Sequence, residues 1–171
     1  MHVGILTVSD RVSASEMEDR GGAAVVDVLR SAFPDIEITS GTVPDVRDEI
    51  SELLTRWADL DNVDAIITTG GTGIAARDVT PEATLDVVSV RVPGVEEGLR
   101  ARGLEKLPAA MLSRGIAGIR GRTFIVNLPG SPSGAAEGAQ ILTTILPHVI
   151  DLLHGRTRHE DTSDSKGSAN S

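Results

Sequence analysis

Residues 68–81 read Thr-Thr-Gly-Gly-Thr-Gly-Ile-Ala-Ala-Arg-Asp-Val-Thr-Pro. The apolar run Ala65-Ile66-Ile67 leads into them, so a buried strand is expected to end in a glycine loop. Glycines at 70, 71 and 73 let the backbone approach a ligand closely and point successive N–H groups at an anion. Arg77 and Asp78 follow, and Thr80-Pro81 reads as a helix start, with Thr80 as N-cap and Pro81 in the first helical position. A strand, an anion-binding turn and a helix in this order describe one unit of an α/β fold. A plain tight turn is the competing reading of Gly70-Gly71. Gly71 to Ala76 also fits G-x-G-x-x-A, but a dinucleotide site opens its helix inside the glycine turn, whereas here the cap comes later. No Gly-Lys-Ser/Thr follows, so a P-loop is excluded.

The same alternation extends in both directions. Val3 to Val8 is a nearly continuous apolar run, expected of a strand covered on both faces. Arg11 to Asp19 reads as a polar loop, and Arg20 or Gly21 to Ala32 as a helix with Val25, Val28 and Leu29 on one face. Ile36 to Val43 is a second strand and Val46 to Leu60 a second helix. Beyond the glycine loop, helices are expected at Pro81 to Val88 and Val95 to Arg102, a weak strand at Ile116 to Ile119 and a strong one at Thr123 to Leu128. The last helix should run from Pro132 to His154. The expected fold is α/β: a three-layer sandwich with a mostly parallel central sheet flanked by helices. It forms one domain over residues 1–154, and residues 155–171 form a disordered polar tail.

Composition narrows the function. The chain has 171 residues, enough for a proper core, and 40% of them are hydrophobic. Cysteine is absent, which removes thiolate chemistry. A net charge of −9 without a basic block weighs against nucleic acid. No apolar run is long enough to span a membrane and Met1-His2 enters a strand directly, so the cytoplasm is expected. Phe33, Trp57 and Phe124 are expected in the core, which leaves a bound ring to be held by backbone and aliphatic groups.

In parallel sheets, ligands bind beyond the C-terminal strand ends. That rule gathers Ser9 and Asp10, then Asp45, then the glycine loop, then Asn127, Pro129, Gly130 and Ser131 onto one edge. Two carboxylates beside a phosphate loop, Asp45 and Asp78, point to Mg²⁺, which takes one or two carboxylates plus phosphate oxygens and water. Asp45 could also be an N-cap, and Asp78 could close a turn against Thr80. Arg77 reads as a phosphate contact or a solvated charge. Ser131-Pro132 repeats the pattern of a cap followed by proline, aiming helix N–H groups at the same edge. The histidines show no metal spacing.

Thr-Val-Ser-Asp at 7–10, Val-Pro-Asp at 43–45, Thr-Thr-Gly-Gly-Thr-Gly at 68–73, Arg-Asp-Val-Thr-Pro-Glu-Ala at 77–83, Leu-Ser-Arg at 112–114 and Asn-Leu-Pro-Gly-Ser at 127–131 occur in one order. In this the chain resembles the MogA/MoaB family of molybdenum-cofactor biosynthesis, including the plant and animal G domains. The resemblance covers Met1 to about Leu153. The stretch at 77–81 looks like the molybdopterin adenylyltransferase branch, although Ala76 stands where relatives often have proline and the tail has no counterpart. The resemblance implies transfer of AMP from ATP to the terminal phosphate of molybdopterin with release of pyrophosphate. It implies Mg²⁺ on Asp78 and Asp45 as the catalytic pair. Nucleotide and pterin would be held by Ser9, Asp10, Gly70, Gly71, Thr72, Gly73, Arg77, Thr80, Pro81, Ser113, Arg114, Asn127, Pro129, Gly130 and Ser131. Ser113 and Arg114 enter through the motif alone. A homotrimer and a downstream molybdenum-insertion partner are also implied. A MoaB-like binding or carrier protein without turnover is the alternative.

Overall fold

The computed structural model describes residues 1–156, so the expected tail lies outside the described residues from position 157 onward. Strands β1 (His2–Val8), β2 (Glu37–Val43), β3 (Ala65–Thr69), β4 (Val90–Arg91), β5 (Ala117–Arg120) and β6 (Thr123–Leu128) form one sheet in the order β2-β1-β3-β6-β5-β4. The first four strands in that order run parallel; β5 runs antiparallel to β6, and β4, antiparallel to β5, resumes the common direction. All residues of β3 and β6 are buried, including the polar Thr68, Thr69, Thr123 and Asn127, as central strands are when helices cover both faces.

Helices α1 (Asp10–Ser13), α2 (Arg20–Ala32), α3 (Arg47–Asp59), α4 (Thr80–Val87), α5 (Pro93–Leu104) and α6 (Pro132–Leu153) complete the chain, with a 3₁₀ turn at Pro108–Leu112. One core packs α2 and α6 on Val3, Ile5, Ala65, Ile67, Phe124 and Val126, with Val95 and Leu99 of α5 against it. The other packs α3 and α4 on Leu6, Val8, Ile66 and Ile125. The sandwich therefore has three layers. Phe124 and Trp57 are buried, and Phe33 packs partly buried against the first core. Trp57 lies over the gaps left by Gly4 and Gly41, where a Cβ would meet its ring at 2.6 and 3.0 Å.

Four local expectations change. The polar stretch after β1 begins with the short helix α1, which Ser9 caps through its hydroxyl and the N–H of Val12. Strand β4 was not foreseen, because two exposed residues leave no alternation to read. Helix α5 starts at Pro93 and runs to Leu104, longer at both ends than expected. Thr80 is not an N-cap: Val79 holds that position, and Thr80 lies inside α4, tied by its N–H to the Gly71 carbonyl (3.1 Å) and by its hydroxyl to the Gly70 carbonyl (2.9 Å).

Parallel register brings the loops together. Thr7 pairs Thr69, Val8 pairs Val43 and Thr69 pairs Leu128, so β1, β2, β3 and β6 end at one level. Strand order reverses at β1, which has β2 on one side and β3 on the other. The crevice at that reversal is where such sheets take ligands.

Candidate functional site

The glycine turn sits at this crevice. Gly70 has φ +98°, and a Cβ there would come within 2.2 Å of the Val8 carbonyl oxygen. Only glycine allows the loop to cross the end of β1 so closely. Gly70 donates its own N–H to the Leu128 carbonyl (3.2 Å), which removes it from the expected phosphate cradle. Among the described residues, the N–H groups of Gly71, Thr72 and Gly73 have no acceptor. They are the remaining candidates for an anion.

Two acidic loops bracket that turn. Asp10 and Asp45 clasp each other: the Asp10 N–H donates to Asp45 Oδ2 (2.9 Å) and the Asp45 N–H to Asp10 Oδ1 (3.0 Å). Val46, not Asp45, is the N-cap of α3, so the capping role considered for Asp45 is excluded. Asp45 Oδ1 lies 3.0 Å from where a Cβ on Gly71 would stand, and Asp78 Oδ2 lies 2.8 Å from the same point on Gly73. Asp78 accepts from the Ala75 N–H through Oδ2 (2.9 Å) and makes no turn with Thr80. Arg77 is neither solvated alone nor unpartnered; its guanidinium forks onto the Asp10 carboxylate at 2.5 to 3.1 Å. That hydrogen bonding holds Asp10 below the usual carboxylate range. Burial pushes Asp45 the other way, and the charges of Asp10 and Asp78 push it further.

Several motif residues have structural partners instead of open valences. Asn127 is 4% exposed. Its amide donates to the hydroxyls of Thr68 (3.0 Å) and Thr84 (2.9 Å), and its Oδ1 accepts from the Ile116 N–H (3.0 Å). Arg114 donates to the carbonyls of Gly73 and Asp78, both at 2.6 Å, and pairs with Glu82. Ser113 Oγ lies 3.4 Å from the Gly115 N–H. Ser131 caps α6 as expected, accepting from Gly134 (3.3 Å). Gly130 packs on Gly70, where its Cβ would stand 3.1 Å from the Gly70 Cα. Pro81 is buried in the first turn of α4.

A cavity of about 300 Å³ opens on the α5–α6 side of the turn, a feature that sequence reasoning missed. Thr72, Gly73, Ser113, Asn127, Pro129 and Ser131 line one wall, and α5, the 3₁₀ turn and α6 supply the rest, with Leu99, Leu107 and Ile141 apolar and Arg100 and Lys106 basic. Glu96 fixes this wall. It is 3% exposed, and burial alone would raise its carboxyl. Hydrogen bonds from Arg91 (2.6 Å) and the Ala117 N–H (3.1 Å), with Arg100 at 3.7 Å, outweigh burial and hold it low. Asp10, Asp45, Arg77 and Asp78 lie outside the cavity lining. The glycine turn thus divides an acidic side from an organic-sized hollow.

The acidic side fits a hard divalent cation. No cluster of three or more His, Cys, Asp or Glu able to hold a metal exists among the described residues. Mg²⁺ needs only one or two carboxylates when phosphate and water complete its shell. Asp45 and Asp78 each spend one oxygen on a loop N–H and keep Oδ1 without a partner among the described residues. A cation between them would relieve the like-charge repulsion that raises Asp45.

The fold and the sequence both have relatives among known proteins. Residues 4–148 match the family described as "probable molybdopterin binding domain". The chain is 40% identical over 156 residues to a molybdopterin adenylyltransferase of Helicobacter pylori, covering 91% of this chain and 89% of that protein. It is 36% identical to the protein of the same name from Escherichia coli K12, over 91% and 86%. The solved structure of the molybdopterin biosynthesis enzyme MoaB from Thermus thermophilus superposes with TM-score 0.83 at 47% identity, over 90% and 96%.

Proposed function

The chain belongs to the molybdopterin-binding domain family, and from that premise we propose that it is a molybdopterin adenylyltransferase of molybdenum-cofactor biosynthesis. An oxygen of the terminal phosphate of molybdopterin attacks the α-phosphorus of ATP. The α-phosphorus–oxygen bond to the β-phosphate breaks, and pyrophosphate leaves. The attacking phosphate is already a competent nucleophile, so the protein must align two repelling anions and neutralise the departing charge. The observation that carries the reading is the bracketing of one glycine turn by Asp45 over Gly71 and Asp78 over Gly73.

The N–H groups of Gly71 to Gly73 would receive phosphate oxygens, with Ser9, Asp10 and Arg77 shaping the acidic side. Asp78 and Asp45 would hold Mg²⁺. Bound there, it supplies charge neutralisation on the phosphates. The cavity beside Ser113, Pro129 and Ser131 would take the pterin, and ATP would lie along the acidic loops. The family resemblance extends the proposal to a homotrimer that works in the cytoplasm and passes its product to a molybdenum-insertion protein. Among the described residues no helix is long and apolar enough to cross a membrane.

The 47% identity to a structure named MoaB keeps a second reading, a pterin carrier that does not turn over ATP. One assay separates the two: purified protein, molybdopterin, ATP and Mg²⁺, with pyrophosphate measured against time. Stoichiometric adenylylation that requires all three supports the transferase. Molybdopterin binding without pyrophosphate release supports the carrier.

A further inference from the structure

We infer that Arg114 is a positioning residue that holds Asp78 in place, and that it does not itself contact phosphate. The assignment rests on the reading of Asp78 as a catalytic carboxylate. Residue 114 reaches three carbonyls of the glycine loop. Its backbone N–H donates to Thr72 (2.9 Å), its Nε to Gly73 (2.6 Å) and its Nη2 to Asp78 (2.6 Å). Nη1 pairs with Glu82 in the first turn of α4. The segment from Gly73 to Asp78 has no helix or strand of its own. Its internal bonds join Ala75 and Asp78 alone, each donating its N–H to the other. Its two ends are therefore closed on each other through a single guanidinium.

The chemistry suits arginine. A planar fork with donors in fixed directions can satisfy two carbonyls and a carboxylate together, whereas an ammonium is one point charge. A phosphate that recruited Arg114 would have to displace both carbonyls and leave Glu82 unpaired, and the Oε2 of Glu82 is already buried without a partner. Arg114 is itself fixed from behind, since the N–H of Ile116, two residues along the chain, donates to Asn127 Oδ1 (3.0 Å). The path from β6 through Asn127 and Arg114 to Asp78 is continuous.

The test compares Arg114→Lys and Glu82→Gln with the parent by kinetics and by hydrogen exchange. Arg114→Lys is expected to lower kcat and raise the Mg²⁺ concentration for half-maximal turnover by about 10- to 100-fold, the usual effect of losing a group that orients a metal ligand. The KM values for molybdopterin and ATP should stay within about threefold, as for a group that makes no ground-state contact with substrate. Amide protection should fall at Ala75 and Asp78 and persist in β1, β3 and β6. Glu82→Gln should shift the same quantities in the same direction by a smaller factor, and it carries the test if the lysine variant fails to fold. A raised KM for either substrate with unchanged Mg²⁺ dependence would make Arg114 a ligand contact and overturn the assignment. Parent-like kinetics and exchange in both variants would overturn it too. Asp78→Asn run alongside distinguishes the failures: full activity there removes the catalytic reading of Asp78, while its loss with a normal Arg114→Lys removes the positioning role alone.

Discussion

Asp45 and Asp78 are single residues whose charge and shape can be separated. Asparagine at 45 keeps an acceptor for the Asp10 N–H but removes a carboxylate that burial and two neighbouring charges oppose. A raised folded-state pKa means that the folded protein binds this proton more tightly than the unfolded chain does. The contribution to stability is fully present below the unfolded value, 3.8, and is lost as pH rises through the folded value. At neutral pH the parent carries that penalty and Asp45→Asn does not. The variant should therefore unfold at the same temperature as the parent or higher at pH 7, with any advantage gone below about pH 3.8, while adenylylation falls by about 100-fold or more, the scale on which a lost charge-stabilising group shows in kcat. Asp78→Asn should lose turnover likewise and keep molybdopterin binding. Thermal scans across pH and an initial-rate assay check both, and near-normal rates in both variants would remove the two-carboxylate site. Their place at strand ends was legible, because residue type and position were enough. The contacts between loops were not: Asp45 meets Asp10 and Asp10 meets Arg77 across the fold, and no local pattern encodes a contact between residues so far apart in the chain.

Helices and strands were legible wherever a run of buried residues left a period. Strands β3 and β6 appear as expected because every residue in them is buried, whereas β4 and the 3₁₀ turn bury none and leave no trace. That is why the cavity went unseen: the walls supplied by α5 and the 3₁₀ turn come from weakly patterned segments. Asn127 shows the converse. A polar residue at the end of an apolar strand reads as a ligand contact, yet its amide cross-links β3, α4 and the start of β5. Asn127→Ala leaves the Ile116 N–H and the Thr68 hydroxyl without their side-chain partner in the interior, while the Thr84 hydroxyl keeps its bond to the Thr80 carbonyl. Stability should fall by about 2–3 kcal/mol, since an unsatisfied buried donor alone costs about 1–3. In a chain of this size the midpoint should drop by roughly 4–12 °C. Urea titration measures it, and a stability loss below about 0.5 kcal/mol would return Asn127 to the role of a ligand contact exposed to solvent.

At the scale of the whole molecule, the sheet separates two features of the proposed site. The α3–α4 face carries the acidic loops and the α5–α6 face carries the cavity, with the glycine turn as their common wall. A nucleotide and a pterin can then sit on opposite sides of one backbone segment, with their phosphates meeting at Gly71 to Gly73. That partition makes substrate binding separable by mutation. Ile141 on α6 is half-buried and lines the cavity away from the acidic loops. Ile141→Trp fills part of a 300 Å³ space without touching Asp45, Asp78 or Arg77. Its KM for molybdopterin should rise by about tenfold, equivalent to about 1.4 kcal/mol of lost binding, while the KM for ATP stays within about twofold. A rise confined to ATP would reverse the two sides. Equal rises in both would mean that the substrates share the hollow, and the glycine turn would then be the floor of a single pocket instead of the wall between two.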